Sequence, residues 1–63
     1  MKLIDNTIGE EIPCWTRVPD QEGRSCLVEH LVDRWDGKFV LISHADACAH
    51  LVPPASLGAR IEE

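Results

Sequence analysis

Tyrosine is absent from the 63 residues, phenylalanine occurs once and tryptophan twice. Any aromatic contribution to a core or a binding surface therefore rests on Trp15, Trp35 and Phe39. Basic runs are missing as well. The six cations (Lys2, Arg17, Arg24, Arg34, Lys38, Arg60) are scattered, so no stripe could neutralise successive phosphates. That excludes nucleic acid and an anionic membrane surface as expected partners. There is no C-x-x-C pair. An odd set of well-separated cysteines (Cys14, Cys26, Cys48) reads most simply as three free thiols. The opening "MKLIDNTIGEEI" holds no apolar run of signal-peptide length, and no stretch is long enough to span a membrane. With free thiols, this leads to the expectation of a cytoplasmic protein. Repeats and low-complexity tracts are also lacking.

What is present suits one small folded domain, residues 1–63. Hydrophobic residues make up 44% and charged residues 27%, which argues against disorder. The net charge of −5 favours solubility. A chain of this length buries only about 60% of the surface its unfolded form exposes. A single core of this size supplies at most about 3–5 kcal/mol, so a staple or a partner subunit is expected. A homo-oligomer follows as an expectation from size.

Breakers punctuate the chain at Gly9, Pro13, Pro19, Gly23, Gly37, Pro53, Pro54 and Gly58, with short apolar runs between them. That rhythm is typical of a small all-β domain. The segment "SCLVEHLVDRWDGKFVLIS" has two readings. As a helix near 25–36, it aligns Leu27, Val28, Leu31, Val32 and Trp35 on one stripe, ended by Gly37. As a hairpin, it folds at Asp36-Gly37, a strong two-residue turn signal, and brings Val32 opposite Leu41, Leu31 opposite Ile42 and Arg34 opposite Phe39. The hairpin is preferred because "KFVLIS" directly after the turn is strand-like. The alternative is a small α+β domain with a second helix near 44–51.

The ending "AHLVPPASLGARIEE" reads as a strand stopped by Pro53-Pro54, a single turn over "PASL" and a short last strand. This order resembles the close of an SH3-like barrel. The resemblance extends from about residue 7 onward and implies an all-β, SH3-like barrel of about five short strands near 7–15, 25–35, 38–44, 48–53 and 59–62. The same ending is similar in spacing to that of the type II trimethoprim-resistant dihydrofolate reductases, tiny SH3-like chains that work as tetramers. Their active site depends on a Val-Gln-Ile-Tyr run. Here those positions read Ala49-His50-Leu51-Val52, without either polar group of that run. The likeness implies self-association and, as an alternative function, an enzyme whose site forms at an oligomer pore with His50 lining it.

The stretch "SHADACAHLVPP" concentrates His44, Asp46, Cys48 and His50. In one continuous strand these would share a face, and His44, Cys48 and His50 could serve as three zinc ligands. The spacing H-x3-C-x-H fits no familiar zinc module, and a convincing fourth ligand is missing. The simpler reading makes "HADAC" a polar link between strands, with His44 and Asp46 solvated and Cys48 half-buried. A Cys48 nucleophile with His44 or His50 as base lacks any signal for an oxyanion hole. With so few aromatics, at least one tryptophan is expected in the core, Trp15 packed or at an interface and Trp35 partly exposed.

No catalytic signature emerges and no cofactor is implied. The expected function is a small, non-enzymatic protein-interaction module that binds a protein partner or copies of itself. The candidate binding residues are Trp15, Arg17, His30, Trp35 and His50.

Overall fold

The computed structural model describes residues 1–63. It is all-β, with six strands in two antiparallel sheets and one 3₁₀ turn. The strands are β1 (Lys2–Asp5), β2 (Thr16–Pro19), β3 (Ser25–Arg34), β4 (Gly37–His44), β5 (Ala47–Val52) and β6 (Ala59–Glu62). β1 and β6 form a two-stranded sheet, and β2-β3-β4-β5 form a four-stranded sheet in that order. No helix is long and apolar enough to cross a membrane.

The helical alternative near 25–36 is overturned, and so is the second helix near 44–51. Both segments are strands. The β3–β4 hairpin forms where expected, but its register differs by two residues. Val32 pairs with Phe39, Leu31 with Val40 and Arg34 with Gly37. The turn residues are therefore Trp35 and Asp36, and neither has positive φ. Gly37 supplies the positive φ (+134°) one position later, at the first residue of β4. Arg34 grips Asp36 across this turn, with Nε 3.1 Å from Oδ1 and Nη2 donating to Oδ2 at 3.1 Å.

The expected strand over 7–15 is the main correction. The first strand lies earlier, at β1, and the second later, at β2. The residues between them form a turn and a strap. Asp5 Oδ1 accepts from the Thr7 amide (2.7 Å) and the Asp5 carbonyl from the Gly9 amide (2.7 Å), so the chain reverses at once. It then runs back along β1, where the Ile12 amide donates to the Leu3 carbonyl (2.7 Å). Only an isolated bridge between Ile4 and Glu11 resembles pairing.

The C-terminal layout matches expectation closely. Pro54–Leu57 is a single 3₁₀ turn with proline in its first positions, and Gly58 ends it at φ +63°. The turn places Leu57 in the core and aims β6 back along β1, with Leu3 opposite Ile61 and Lys2 opposite Glu62.

The core lies between the sheets. Leu3 from β1, Cys26 and Val28 from β3, Val40 and Ile42 from β4, Leu57 and Ala59 form one buried cluster, joined by half-buried Ile12, Val18, Leu31, Val52 and Ile61. No aromatic ring is in it. The expectation of a core tryptophan fails, since Trp15 is 62% exposed and Trp35 93%. Valines, isoleucines and leucines fill this narrow gap in place of an indole.

The pleat puts alternate residues on the opposite, outer face of the four-stranded sheet. There Arg17 pairs with Leu27, His30 with Leu41, Leu41 with Leu51 and Val32 with Phe39. Glu29 is the extra residue of a bulge between Val28 and His30, which keeps Leu31 pointing inward and His30 outward.

Candidate functional site

The five candidate binding residues divide among three places. Trp15 and His30 meet at one end of the outer face, and Arg17 lies on the same face opposite Leu27. Trp15 precedes β2, its amide donates to the Val28 carbonyl, and its ring stands edge-on to His30 at 5.4 Å between centroids with an 82° interplanar angle. This edge-to-face geometry suits the ring quadrupoles. Trp15 is also the one non-glycine residue with positive φ (+67°). The left-handed conformation costs a bulky residue about 1–2 kcal/mol, so the fold holds this exposed indole in place against strain.

Trp35 occupies the tip of the β3–β4 hairpin and makes no ring contact. The cation–π contact at this end is between Arg34 and Phe39, with the guanidinium 5.4 Å from the ring centre. His50 is on the other side of the sheet. It pairs with Ile42, whose side chain is in the core. The candidate surface is therefore a Trp15–Arg17–His30 patch, with Trp35 at the hairpin tip and His50 behind it.

His50 belongs to a second constellation that includes a residue the sequence reading missed. Its ring stacks on His44 at 5.8 Å with planes 20° apart. His44 Nε2 lies 3.1 Å from Asp20 Oδ2. Asp20, just after β2, also organises its own loop. Its Oδ1 accepts from the amides of Glu22 and Arg24, both at 2.9 Å, while its amide donates to the Arg24 carbonyl at 2.8 Å. The Arg24 amide is the main reason its carboxyl is held below the ordinary value of 3.8. The His44 and Glu22 contacts add to this against partial burial. Asp20 is thus an acceptor, and His44 Nε2 donates to it. The ordinary cue for such a residue is an aspartate opening a loop that ends in glycine. Pro19-Asp20 and Gly23 carry that cue, although nothing local points to His44.

These residues border a cleft of about 280 Å³ on the inner side of the sheet, floored by Ile42, Val52 and Leu57. The expected solvation of His44 is wrong, because its side chain is only 9% exposed. Cys48, expected half-buried, is exposed. Both reversals come from the tight turn at Ala45-Asp46. β4 continues to His44 and β5 begins at Ala47, so His44 and His50 lie on neighbouring strands instead of one strand.

The metal alternative loses its geometry for the same reason. The two imidazoles are stacked face to face, and no three His, Cys, Asp or Glu side chains converge. General-base chemistry at the Asp20–His44 pair meets a different obstacle. The other ring nitrogen, Nδ1, is buried and has no hydrogen-bond partner, whereas a catalytic base must reach the proton it removes. Burial pushes the Cys26 thiol up, and the Asp20 charge adds to this against Arg17, so that sulfur is a packing group.

No protein-family model, curated protein or solved structure matches the chain.

Proposed function

We propose that the chain is a non-enzymatic interaction module that associates with a second copy of itself through the outer face of the four-stranded sheet. The observation that carries this reading is the composition of that face. Leu27, Val32, Phe39, Leu41 and Leu51 are only half-buried, and none packs against the core cluster. Scattered surface leucines need no explanation, whereas a contiguous apolar face is a mark of an interface.

Trp15 and His30 border this face and supply the kind of aromatic anchor that dominates binding energy. A second copy is the favoured occupant because the domain is otherwise short of buried surface. Only eight of its 63 residues are buried, and its three cysteines are free. A homomeric partner is present wherever the chain is made. The order of β5, a proline-led 3₁₀ turn and β6 supports an SH3-like arrangement. Free, exposed Cys14 and Cys48 suit a reducing compartment such as the cytoplasm.

The test is a dilution series followed by two-dimensional NMR. Self-association predicts concentration-dependent shifts at Leu27, Leu41, Leu51 and the Trp15 indole, with the core signals of Val28 and Val40 unmoved. Shifts confined to the hairpin tip, or none up to about 1 mM, a concentration matching only about −4 kcal/mol of association energy, would overturn it.

A further inference from the structure

We infer that His30 makes the self-association acid-sensitive: the outer face holds a second copy while the His30 imidazole is neutral and releases it when the ring takes up a proton. The inference rests on the self-association reading and names the group that regulates it.

His30 is an exposed residue of the outer face. Its cross-strand partner on β4 is Leu41, and the Trp15 ring stands edge-on to it at 5.4 Å. Any surface that covers Leu41 and Trp15 therefore covers this ring as well. The charged groups around it are few. Arg17 on β2 shares the face, Glu29 precedes it in β3 at the bulge, and β4 places the uncharged Leu41 opposite. No carboxylate is within ion-pair distance of the ring. The contrast is with His44, which has an Asp20 oxygen at 3.1 Å.

A second copy does not supply the missing charge. Two identical chains related by a two-fold axis present the same patch to each other. That patch consists of Leu27, Val32, Phe39, Leu41 and Leu51, bordered by Arg17 and His30. Arg34 is added where its guanidinium covers the Phe39 ring. No carboxylate is among these residues. The nearby Asp36, at the hairpin turn, is already held by Arg34.

The energetic consequence has a definite sign. Apolar side chains can cover a neutral imidazole at modest cost, whereas an imidazolium loses its hydration and gains no opposite charge. Histidine is the side chain whose charge ordinarily changes between about pH 5 and 8. The associated state thus binds fewer protons at His30 than the free chain does, and by linkage association weakens as pH falls. Each copy brings its own His30, which steepens the dependence. His44 and His50 stack on the other side of the sheet and stay outside the interface.

The experiment is sedimentation velocity of the full chain at about pH 7.5 and about pH 5.5, which bracket the ordinary histidine range. The parent should associate about tenfold more weakly at the lower pH, with unchanged β-sheet circular dichroism. His30→Gln removes the titrating group, and its association should be the same at both values, whatever its strength. His50→Gln should keep the parent's loss on acidification. Equal association of the parent at the two values, or a His30→Gln variant that loses as much as the parent, would overturn this inference and leave the outer-face reading standing. A parent that is monomeric at both values would remove that reading and this inference with it.

Discussion

Both faces of the four-stranded sheet carry apolar residues, in very different surroundings. On β3, Cys26 and Val28 have no exposed surface, while Leu27 between them is half-exposed. β4 repeats the pattern, with Val40 and Ile42 inside and Leu41 outside. Hydrophobicity alone therefore does not decide burial. What decides it is the presence of a second layer. The β1–β6 pair and the 3₁₀ turn cover the inner face and leave a cleft where they stop, whereas nothing in the chain covers the outer face. The outer face of a half-buried sheet is ordinarily polar. An apolar one makes sense if another surface completes it.

The largest expected effect separates the faces by stability. Leu3→Ala, at a fully buried position, should cost about 2–5 kcal/mol. That matches the whole stability of a domain this size, so the variant should be largely unfolded by circular dichroism. Leu41→Ala on the outer face should cost about 1 kcal/mol or less in a urea titration of dilute protein. Equal losses at the two positions would mean that the outer face is already covered within one chain.

Trp15 offers a sharper version of the comparison, because its backbone and its ring pull in opposite directions. Replacement by glycine relieves the left-handed strain, and replacement by alanine does not. Trp15→Gly should therefore be more stable than Trp15→Ala by about 1 kcal/mol in urea denaturation. Both should lose the His30 contact and weaken association. Equal stability of the two would show that the backbone relaxes once the indole is gone.

On the inner side, acid should act through Asp20. Its folded-state carboxyl is held below the ordinary value of 3.8, so its contribution to stability is complete above that value and is lost as pH falls through the lower folded value. Asp20→Asn should flatten the acid limb of a stability–pH curve and leave the curve near neutrality parallel to that of the parent. An unchanged acid limb would assign acid sensitivity to other carboxylates. The smallest effect belongs to Trp35→Ser at the exposed hairpin tip, where a surface change should stay within about 0.5 kcal/mol. A larger loss would place this indole against a partner surface.

The differences between sequence and structure follow the same division. Elements set by local chemistry were legible. The two prolines, the "PASL" turn and Gly58 specify the close of the chain by fixed backbone preferences, and Gly37 announces a hairpin. The register of that hairpin was less legible, because it goes with the pairing of core residues beyond the turn, Leu31 with Val40 and Val28 with Ile42. The N-terminal third was misread for a related reason. "IGEEIPCW" alternates enough to suggest a strand, but the Asp5 side chain captures the Thr7 amide and turns the chain before pairing can start.

Of the candidate site, five residues were expected on one surface, whereas only Trp15 and His30 are in ring contact and His50 faces the other side of the sheet. The Asp20–His44 pair was not legible. It joins residues 24 positions apart, and its geometry depends on the β4–β5 turn falling at Ala45-Asp46.

Sedimentation velocity of the parent chain and of Leu41→Glu, each from about 10 μM to about 1 mM, tests the central claim most directly. A carboxylate in the middle of the apolar outer face leaves the core untouched and would be buried unpaired in any interface there, a several-fold or greater penalty on association. The expected result is a sedimentation coefficient that rises with concentration for the parent and stays at the monomer value for the variant, with both showing the same β-sheet circular dichroism. A parent that remains monomeric throughout, or a Leu41→Glu variant that associates as well as the parent, would contradict an interface on this face.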